Sequence, residues 1–483
     1  MPLFLPLIFA AQAYHGYVRH DFKVDGLDAV LVEPKAPANH KPWIWRMEFF
    51  DHRPELDLAL LARGYYLAHI EVGNTFGCPT AMEHCSAFYR ELTGHWALNP
   101  KPILEGFSRG ALYAYNWAAR NPDKVGAIYG DAPVCDFTTW PYGGRGGARS
   151  EGDWKELISD YGFPSERAAL DYPFNPINNL EPLATAHIPI IHVVGDKDTL
   201  VPMKENSGVV EARYKELDGA ITVIHKPNGD HHPHSLDNPT PIVEFLLKHA
   251  HDTRHSEPAT IIPAPNPESR YTSAGWDGRS WMDQVWDSER AVATERAEIV
   301  LLGDSITQGW GGPGRQVSAP GAEAFARAFH GWRTVEMGIS GDRTQNVLWR
   351  LKRGALLGVK PKAVVIAIGI NNRNDDSAEA VAEGVEAIVR EVRTQAPEAK
   401  VIVTGLFPTG PTALDPQRGY VKEVNSRLKN LRSIQFIDIG PELLLPDGRT
   451  DFTKMAGDSL HLVAGGYEVW GTALRAALRK LGV

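Results

Sequence analysis

Two serines in this chain stand where a hydroxyl can be made nucleophilic. Ser108 lies in Gly106-Phe107-Ser108-Arg109-Gly110, directly after the apolar run KPILE and directly before a helical pattern over Arg109–Asn121. A serine on a sharp strand-to-helix turn exposes its Oγ, and side chains two positions either side would clash there, which suits glycine at 106 and 110. The N-terminus of the helix that follows favours negative charge on a reacting oxygen. Ser305 lies in Gly303-Asp304-Ser305-Ile306-Thr307, after the apolar run EIVLL. A serine hydroxyl is a weak nucleophile, so each needs a base, and each base an orienting acid. The chemistry such sets perform is acyl transfer through a serine ester.

For Ser305 the partners stand in three further blocks. Met337-Gly-Ile-Ser-Gly341-Asp342-Arg-Thr344 ends one strand pattern and Ile368-Gly-Ile-Asn371-Asn372 ends another. Asp458-Ser-Leu-His461 precedes the last helical pattern. All fall at the C-terminal end of a strand or before a helix, where open α/β sheets hold ligands. His461 is the expected base, and Asp458, three residues earlier, can turn back to fix its tautomer. The N–H groups of Ser305 and Gly341 and the side-chain amide of Asn371 are the expected oxyanion donors. Trp310 and the following glycines are candidates for lining this site or for a packed loop.

For Ser108 the choice is wider. An acid loop, Val194-Gly-Asp196-Lys-Asp198-Thr-Leu-Val-Pro202, follows one strand pattern. Pro227-Asn-Gly-Asp230-His231-His232-Pro-His234 precedes a helix. Arg109 N–H is one expected oxyanion donor, and the second should come from the loop after WIWRMEFF. As a side chain, Arg109 reads either as a contributor beside the oxyanion or as a surface charge on a first helical turn.

The elements needed to carry these residues form two blocks of alternating strand and helix patterns. In the first, LDAVLVEP, PWIWRMEFF, YYLAHIEVG, KPILEGFS, VGAIYGDAP, PIIHVVGD and AITVIHK read as strands. Buried strands with crossover helices imply a mainly parallel α/β sheet. Residues 137–185, rich in Gly, Pro and aromatics, read as an insertion over it. In the second block EIVLLGD, TVEMGIS, AVVIAIG, VIVTGLF and IQFIDIG make five parallel strands, preceded by a helix around SWMDQVWDSERAVATERA. Residues 252–272 hold four prolines and read as an extended connector. The expected organisation is therefore a first domain over 14–251, a linker over 252–272 and a smaller domain over 273–483.

The motifs of the first block, in the order Ser, Asp, His, resemble the α/β-hydrolase superfamily. That resemblance implies Asp198 as the acid, ahead of Asp196, and His231 as the base, with His232 and His234 as rivals. The chain departs from the family at Asp230, where glycine is usual, and at Trp45-Arg46-Met47-Glu48, where His-Gly is frequent. Ser108-Arg109 is also similar to the elbow of glucuronoyl esterases. The second block, in all four motifs, resembles the SGNH or GDSL hydrolases, a flavodoxin-like fold. GISGDRTQNVLWRL is similar to the platelet-activating-factor acetylhydrolase catalytic subunits and related acetylesterases. The implied function is a two-domain serine esterase, with no cofactor and no metal.

Composition narrows the partners. Lys+Arg 50 against Asp+Glu 59 gives a net charge of −9, with no dense basic stretch, so a nucleic-acid grip is not expected. No apolar run reaches the roughly 18–20 residues of a membrane-spanning helix. Cys78, Cys85 and Cys135 cannot make a disulfide framework, although Cys78 and Cys85 could pair in an oxidising compartment. No Cys/His spacing reads as a zinc site. Residues 1–13 end in Ala11-Gln12-Ala13 and resemble a signal-peptide remnant, which points to a secreted or periplasmic protein; an ordinary apolar segment would leave it cytoplasmic. Two dissimilar esterase sites suit a substrate with several esters, such as acetylated plant polysaccharide. The alternatives are a lipid or small-ester acetylhydrolase with one working domain, the first domain then being a degenerate binding module. Trp276, Trp281 and Trp286 read as sugar-stacking surfaces or, at a spacing of five, as packing.

Overall fold

Apolar runs bounded by Gly, Pro and Asn become the strands of two separate sheets in the computed structural model, which describes residues 12–249, 258–266, 279–312 and 318–483. The chain divides into two compact units, Met1–Glu257 and Pro258–Val483.

In the first unit the strands are β1 Gln12–Tyr14, β2 Tyr17–Val24, β3 Leu27–Glu33, β4 Trp43–Arg46, β5 Tyr66–Ile70, β6 Ile103–Phe107, β7 Ala127–Asp131, β8 Ile190–Gly195 and β9 Ile221–Lys226. Their order in the sheet is β1-β2-β3-β5-β4-β6-β7-β8-β9. The pairings from β5 through β9 are parallel, and β1, β2 and β3 add on antiparallel. β4 to β8 are buried along their whole length. Each large aliphatic side chain so buried contributes about 1.5–3 kcal/mol.

The leading hairpin β1–β2 lies outside the strands that the apolar pattern picks out. Only Val24 of β2 is buried, so this strand owes its form to pairing with β3 rather than to apolar content. β4 stops at Arg46, short of the WIWRMEFF run, because Phe49 and Asp51 take positive φ and turn the chain. The segment between β7 and β8 carries the helices Glu151–Asp160, Glu166–Leu170 and Glu181–Thr185. Cys78, Cys85 and Cys135 are buried free thiols. Cys78 caps the helix Pro79–Gly94 and Cys85 sits seven residues on, about 10 Å along its axis, beyond disulfide reach. Burial pushes the Cys85 thiol up to about 12.

The second unit has β10 Ile299–Gly303, β11 Thr334–Glu336, β12 Ala363–Ala367, β13 Lys400–Thr404 and β14 Gln435–Ile437. All pair in parallel in the order β11-β10-β12-β13-β14, the 2-1-3-4-5 arrangement of flavodoxin-like sheets. Helices Trp281–Thr294, Thr344–Lys352, Ala378–Gln395 and Ala464–Lys480 bury apolar faces against this sheet. The first of them starts at a capping box in which Ser280 and Asp283 satisfy each other's backbone N–H. Pro258–Asn266, within the stretch read as connector, hydrogen-bonds to this unit: Thr260 donates to Ala380 O at 2.6 Å and Asn346 to Ala264 O at 3.0 Å. Trp281 is buried, Trp286 is 53% exposed, and Trp310 is enclosed by Phe329, Tyr467 and Trp470. Trp310 is thus core, not lining. Trp276, most of the remaining connector and residues 1–11 lie outside the described residues. No described helix is long and apolar enough to cross a membrane.

Candidate active sites

β6 delivers Ser108 to a turn at which the serine itself takes φ +48°, a left-handed conformation that L residues adopt only where the surroundings compel it. Gly106 makes the turn feasible: a Cβ there would come within 2.6 Å of Ala111 backbone atoms. The turn is held by Ser108 N–H to Asp131 O at 2.9 Å and Val134 N–H to Ser108 O at 2.9 Å. Ser108 Oγ lies 3.0 Å from His231 Nε2, and His231 Nδ1 lies 2.7 Å from Asp198 Oδ2. Asp198 Oδ1 accepts the N–H groups of Leu200 and Val201 at 2.9 and 2.8 Å. His231 and Asp198 side chains are 4% and 2% exposed, so their pairing is made in a low-dielectric setting.

The rival residues have other partners. Asp196 meets His225 Nδ1 at 2.6 Å on the surface. His234 Nδ1 meets the buried Asp131 at 2.8 Å, and Asp131 also accepts from Tyr129 and Ser235 N–H. His232 is exposed. One ring nitrogen from each of His231, His232 and His234 lies within 4.8 Å of the other two.

Arg109 is not a loose surface charge. Its Nε lies 2.9 Å from both carboxylate oxygens of Glu48, and its guanidinium rests 5.0 Å from the centre of the Phe49 ring. Burial pushes the Glu48 carboxyl up, against the pull of Arg109. The N–H groups of Arg109 and Glu48 have no acceptor among the described residues, while that of Met47 is taken by Glu105 O at 3.0 Å. Beneath the elbow, Arg46 is fully buried between Asp57 and Glu105, at 3.2 and 3.0 Å. It also lies over the Phe107 ring, 3.8 Å from its centre. Burial drives the Glu105 carboxyl well up. Asp131 escaped the sequence reading, and Arg46 and Glu48 were named there only as standing where His-Gly is frequent. The available signal was a charge at or just beyond the end of an otherwise apolar strand.

In the second unit Ser305 opens a short helix directly after β10. Gly303 permits the close turn, since a Cβ there would lie 2.4 Å from Ala367 O. Ser305 Oγ lies 2.9 Å from His461 Nε2, and His461 Nδ1 lies 2.6 Å from Asp458 Oδ2. Asp458 Oδ1 accepts the N–H groups of Leu460 and His461, both at 3.0 Å. Burial pushes the Asp458 carboxyl up, but these bonds outweigh it and hold the group below its ordinary range. Asp304, beside the serine, is fully buried, and that burial pushes it up to about 7 despite the Ile306 N–H it accepts.

Gly341, with φ +84°, has no acceptor for its N–H among the described residues. Asn371 Nδ2 gives one proton to Asp342 O at 2.9 Å, leaving the other. Asp342 is itself clamped by Trp281 Nε1 and Arg350, each at 2.7 Å, and Arg350 also donates to Met337 O at 2.6 Å. The structure therefore joins Ser305, His461 and Asp458 in one hydrogen-bonded chain, and ties Asn371 to the main chain next to Gly341. Arg350 carried no signal in the sequence and Trp281 read there as sugar-stacking or packing, since the Asp342 that both hold is reached only through folding.

Residues 301–469 match the GDSL-like lipase/acylhydrolase family. Platelet-activating factor acetylhydrolase IB subunit alpha2 of Rattus norvegicus is 35% identical over 209 residues, 42% of this chain and 85% of that protein. The alpha1 subunit from the same organism is 35% identical over 222 residues, 45% of this chain and 90% of its own. The structure of Est24, a carbohydrate acetylesterase from Sinorhizobium meliloti, covers 38% of this chain and 99% of that chain at 24% identity, with a TM-score of 0.30, too low to bear on the assignment. Through its second unit, the chain belongs to the GDSL-like lipase/acylhydrolase family and is a carboxylic ester hydrolase.

Proposed function

We propose that this chain is a two-site serine esterase in which Ser108 and Ser305 each form an acyl-enzyme, and that its substrate is acetylated carbohydrate, plant polysaccharide in particular. The observation that carries the two-site reading is the pair of hydrogen-bonded Ser–His–Asp chains, one in each unit. In the first unit the order Ser, Asp, His, the serine after a strand and the strained elbow support an α/β-hydrolase domain. At each site the imidazole takes the serine proton as Oγ attacks the ester carbonyl, and the carboxylate holds the imidazolium that forms. The proton then goes to the departing alkoxide, and water, deprotonated by the same imidazole, releases the acid. The Gly341 N–H and the Asn371 amide face the oxyanion in the second unit. The Arg109 and Glu48 N–H groups do so in the first. Each such donor is worth about 3–4 kcal/mol.

The relatives named platelet-activating factor acetylhydrolase support an acetyl group as the acyl part. They equally favour a second reading, a lipid or small-ester acetylhydrolase. Acetate release from acetylated xylan, set beside hydrolysis of a long-chain lipid ester, separates the two. The first reading requires acetate from xylan that falls when Ser108 or Ser305 becomes alanine. Failure to deacetylate any polysaccharide overturns it.

A further inference from the structure

The loop that supplies the base of the first unit carries three histidines within four residues, His231, His232 and His234. The buried pair is alike in one respect: His231 Nδ1 is held by Asp198 at 2.7 Å and His234 Nδ1 by Asp131 at 2.8 Å. A carboxylate at Nδ1 keeps the proton there and leaves the lone pair on Nε2, which is the arrangement in which histidine ligates a metal ion. The Nε2 of His234 has no hydrogen-bond partner among the described residues, and its side chain is 4% exposed. His232 has no hydrogen bond at all among them. The three rings lie edge to face with centroids 4.7–4.9 Å apart.

We propose that His231, His232 and His234 form a binding site for a zinc-class divalent cation, and that the ion competes with Ser108 for the Nε2 lone pair of His231. This rests on the reading of His231 as the base of Ser108. Two imidazoles on one tetrahedral zinc have nitrogens roughly 3.4 Å apart, given Zn–N bonds of about 2.0–2.1 Å. The ring nitrogens now lie within 4.8 Å of one another, and His232, which has no hydrogen bond among the described residues, can turn towards the other two. Three imidazoles, two of them with a carboxylate at Nδ1, leaving a fourth position to water, suit zinc better than the oxygen-seeking cations. The bound ion removes the base from the serine, so the first unit has a metal-free active state and a metal-bound silent one.

The test uses untagged full-length protein. Co2+ replaces zinc as a spectroscopic probe, and its binding is read from visible absorption, independently of turnover. One tetrahedral Co2+ per chain is expected. His232→Ala and His234→Ala should each weaken it at least tenfold, and Ser108→Ala should leave it unchanged or tighter. Turnover is then read in a Ser305→Ala chain, where Zn2+ should reduce aryl-acetate hydrolysis at least tenfold, reversibly by EDTA. His232→Ala should keep the metal-free rate and lose the inhibition. Absence of a tetrahedral Co2+ spectrum, or one indifferent to His232 and His234, overturns the site. Co2+ binding without loss of Ser108-dependent turnover overturns the competition. A Ser305→Ala chain inactive even in EDTA defeats the two-site reading instead, and the Co2+ spectra then decide the metal site alone.

Discussion

The two sites reach one constellation by different routes. In the first unit the base lies 123 residues from its serine and 33 from its acid, so three separate loops must converge. In the second, base and acid are three residues apart and only the serine is remote. Yet both acids are held by the same local device. One carboxylate oxygen accepts the N–H groups two and three residues on, and the other oxygen is left for the imidazole. This is the ordinary habit of aspartate in turns, put to use for positioning. The difference is that in the second unit the residue three positions on is the base itself. Burial follows the same division. Imidazole and carboxylate are 4% and 2% exposed in the first unit against 40% and 49% in the second. A pair assembled at long range is enclosed by the loops that assemble it, whereas a pair encoded locally can lie open.

Removing both nucleophiles should have the largest effect. Ser108→Ala with Ser305→Ala is expected to abolish aryl-acetate turnover by at least ~10³-fold, while each single variant leaves the other site's share. A single variant as dead as the double would reduce the comparison to one working site. The acids come next, each measured with the other unit's serine replaced. Asp198→Asn should cost about 10⁴-fold, because a buried base then loses its tautomer and its counter-charge together. Asp458→Asn should cost only about 10²-fold, since water screens and partly replaces the open carboxylate. The reverse ranking would break the link drawn between burial and dependence on the acid.

The proposed oxyanion donors differ in one member, since a side-chain amide joins a main-chain N–H in the second unit. Asn371→Ala should lower kcat by about 10²-fold with KM nearly unchanged, because the amide matters most when charge develops. The donors proposed for the first unit are main-chain N–H groups, so trimming the Arg109 side chain should change kcat far less. A fall in kcat equal to that of Asn371→Ala would show that the guanidinium itself faces the oxyanion.

The smallest expected effect is on stability. Asp304 holds its proton up to about pH 7 when folded, against 3.8 when unfolded, so the folded chain binds more protons between these values. Stability from this group is thus greatest at low pH and falls as pH rises towards 7, by about 2 kcal/mol between roughly pH 5.5 and 8. The difference in unfolding free energy between wild type and Asp304→Asn, from denaturant titrations, should change by that amount across the interval. A constant difference would mean that Asp304 is ionised throughout.

Much of this was legible before folding was considered. Apolar runs between Gly and Pro marked β3 to β14, most plainly the fully buried parallel strands, which need apolar side chains on both faces. Each candidate serine, acid and histidine was marked by its place at a strand end or just before a helix. β2 was not legible, because its alternation is charged and its partner supplies the order. The choice of His231 over His232 and His234 needed the family resemblance, since all three share one short loop.

Chain order alone determined the residue types available for acyl transfer and the local Asp458–His461 pairing, which needs only a three-residue turn. Tertiary structure decided which histidine meets Ser108, which acid is buried beside it, that Glu48 captures Arg109, and that Trp281 and Arg350 brace Asp342. The reason is reach. A turn is set by dihedral angles of neighbouring residues, whereas a 2.7 Å contact between side chains 33 or 61 positions apart exists only after the sheet has placed both strands.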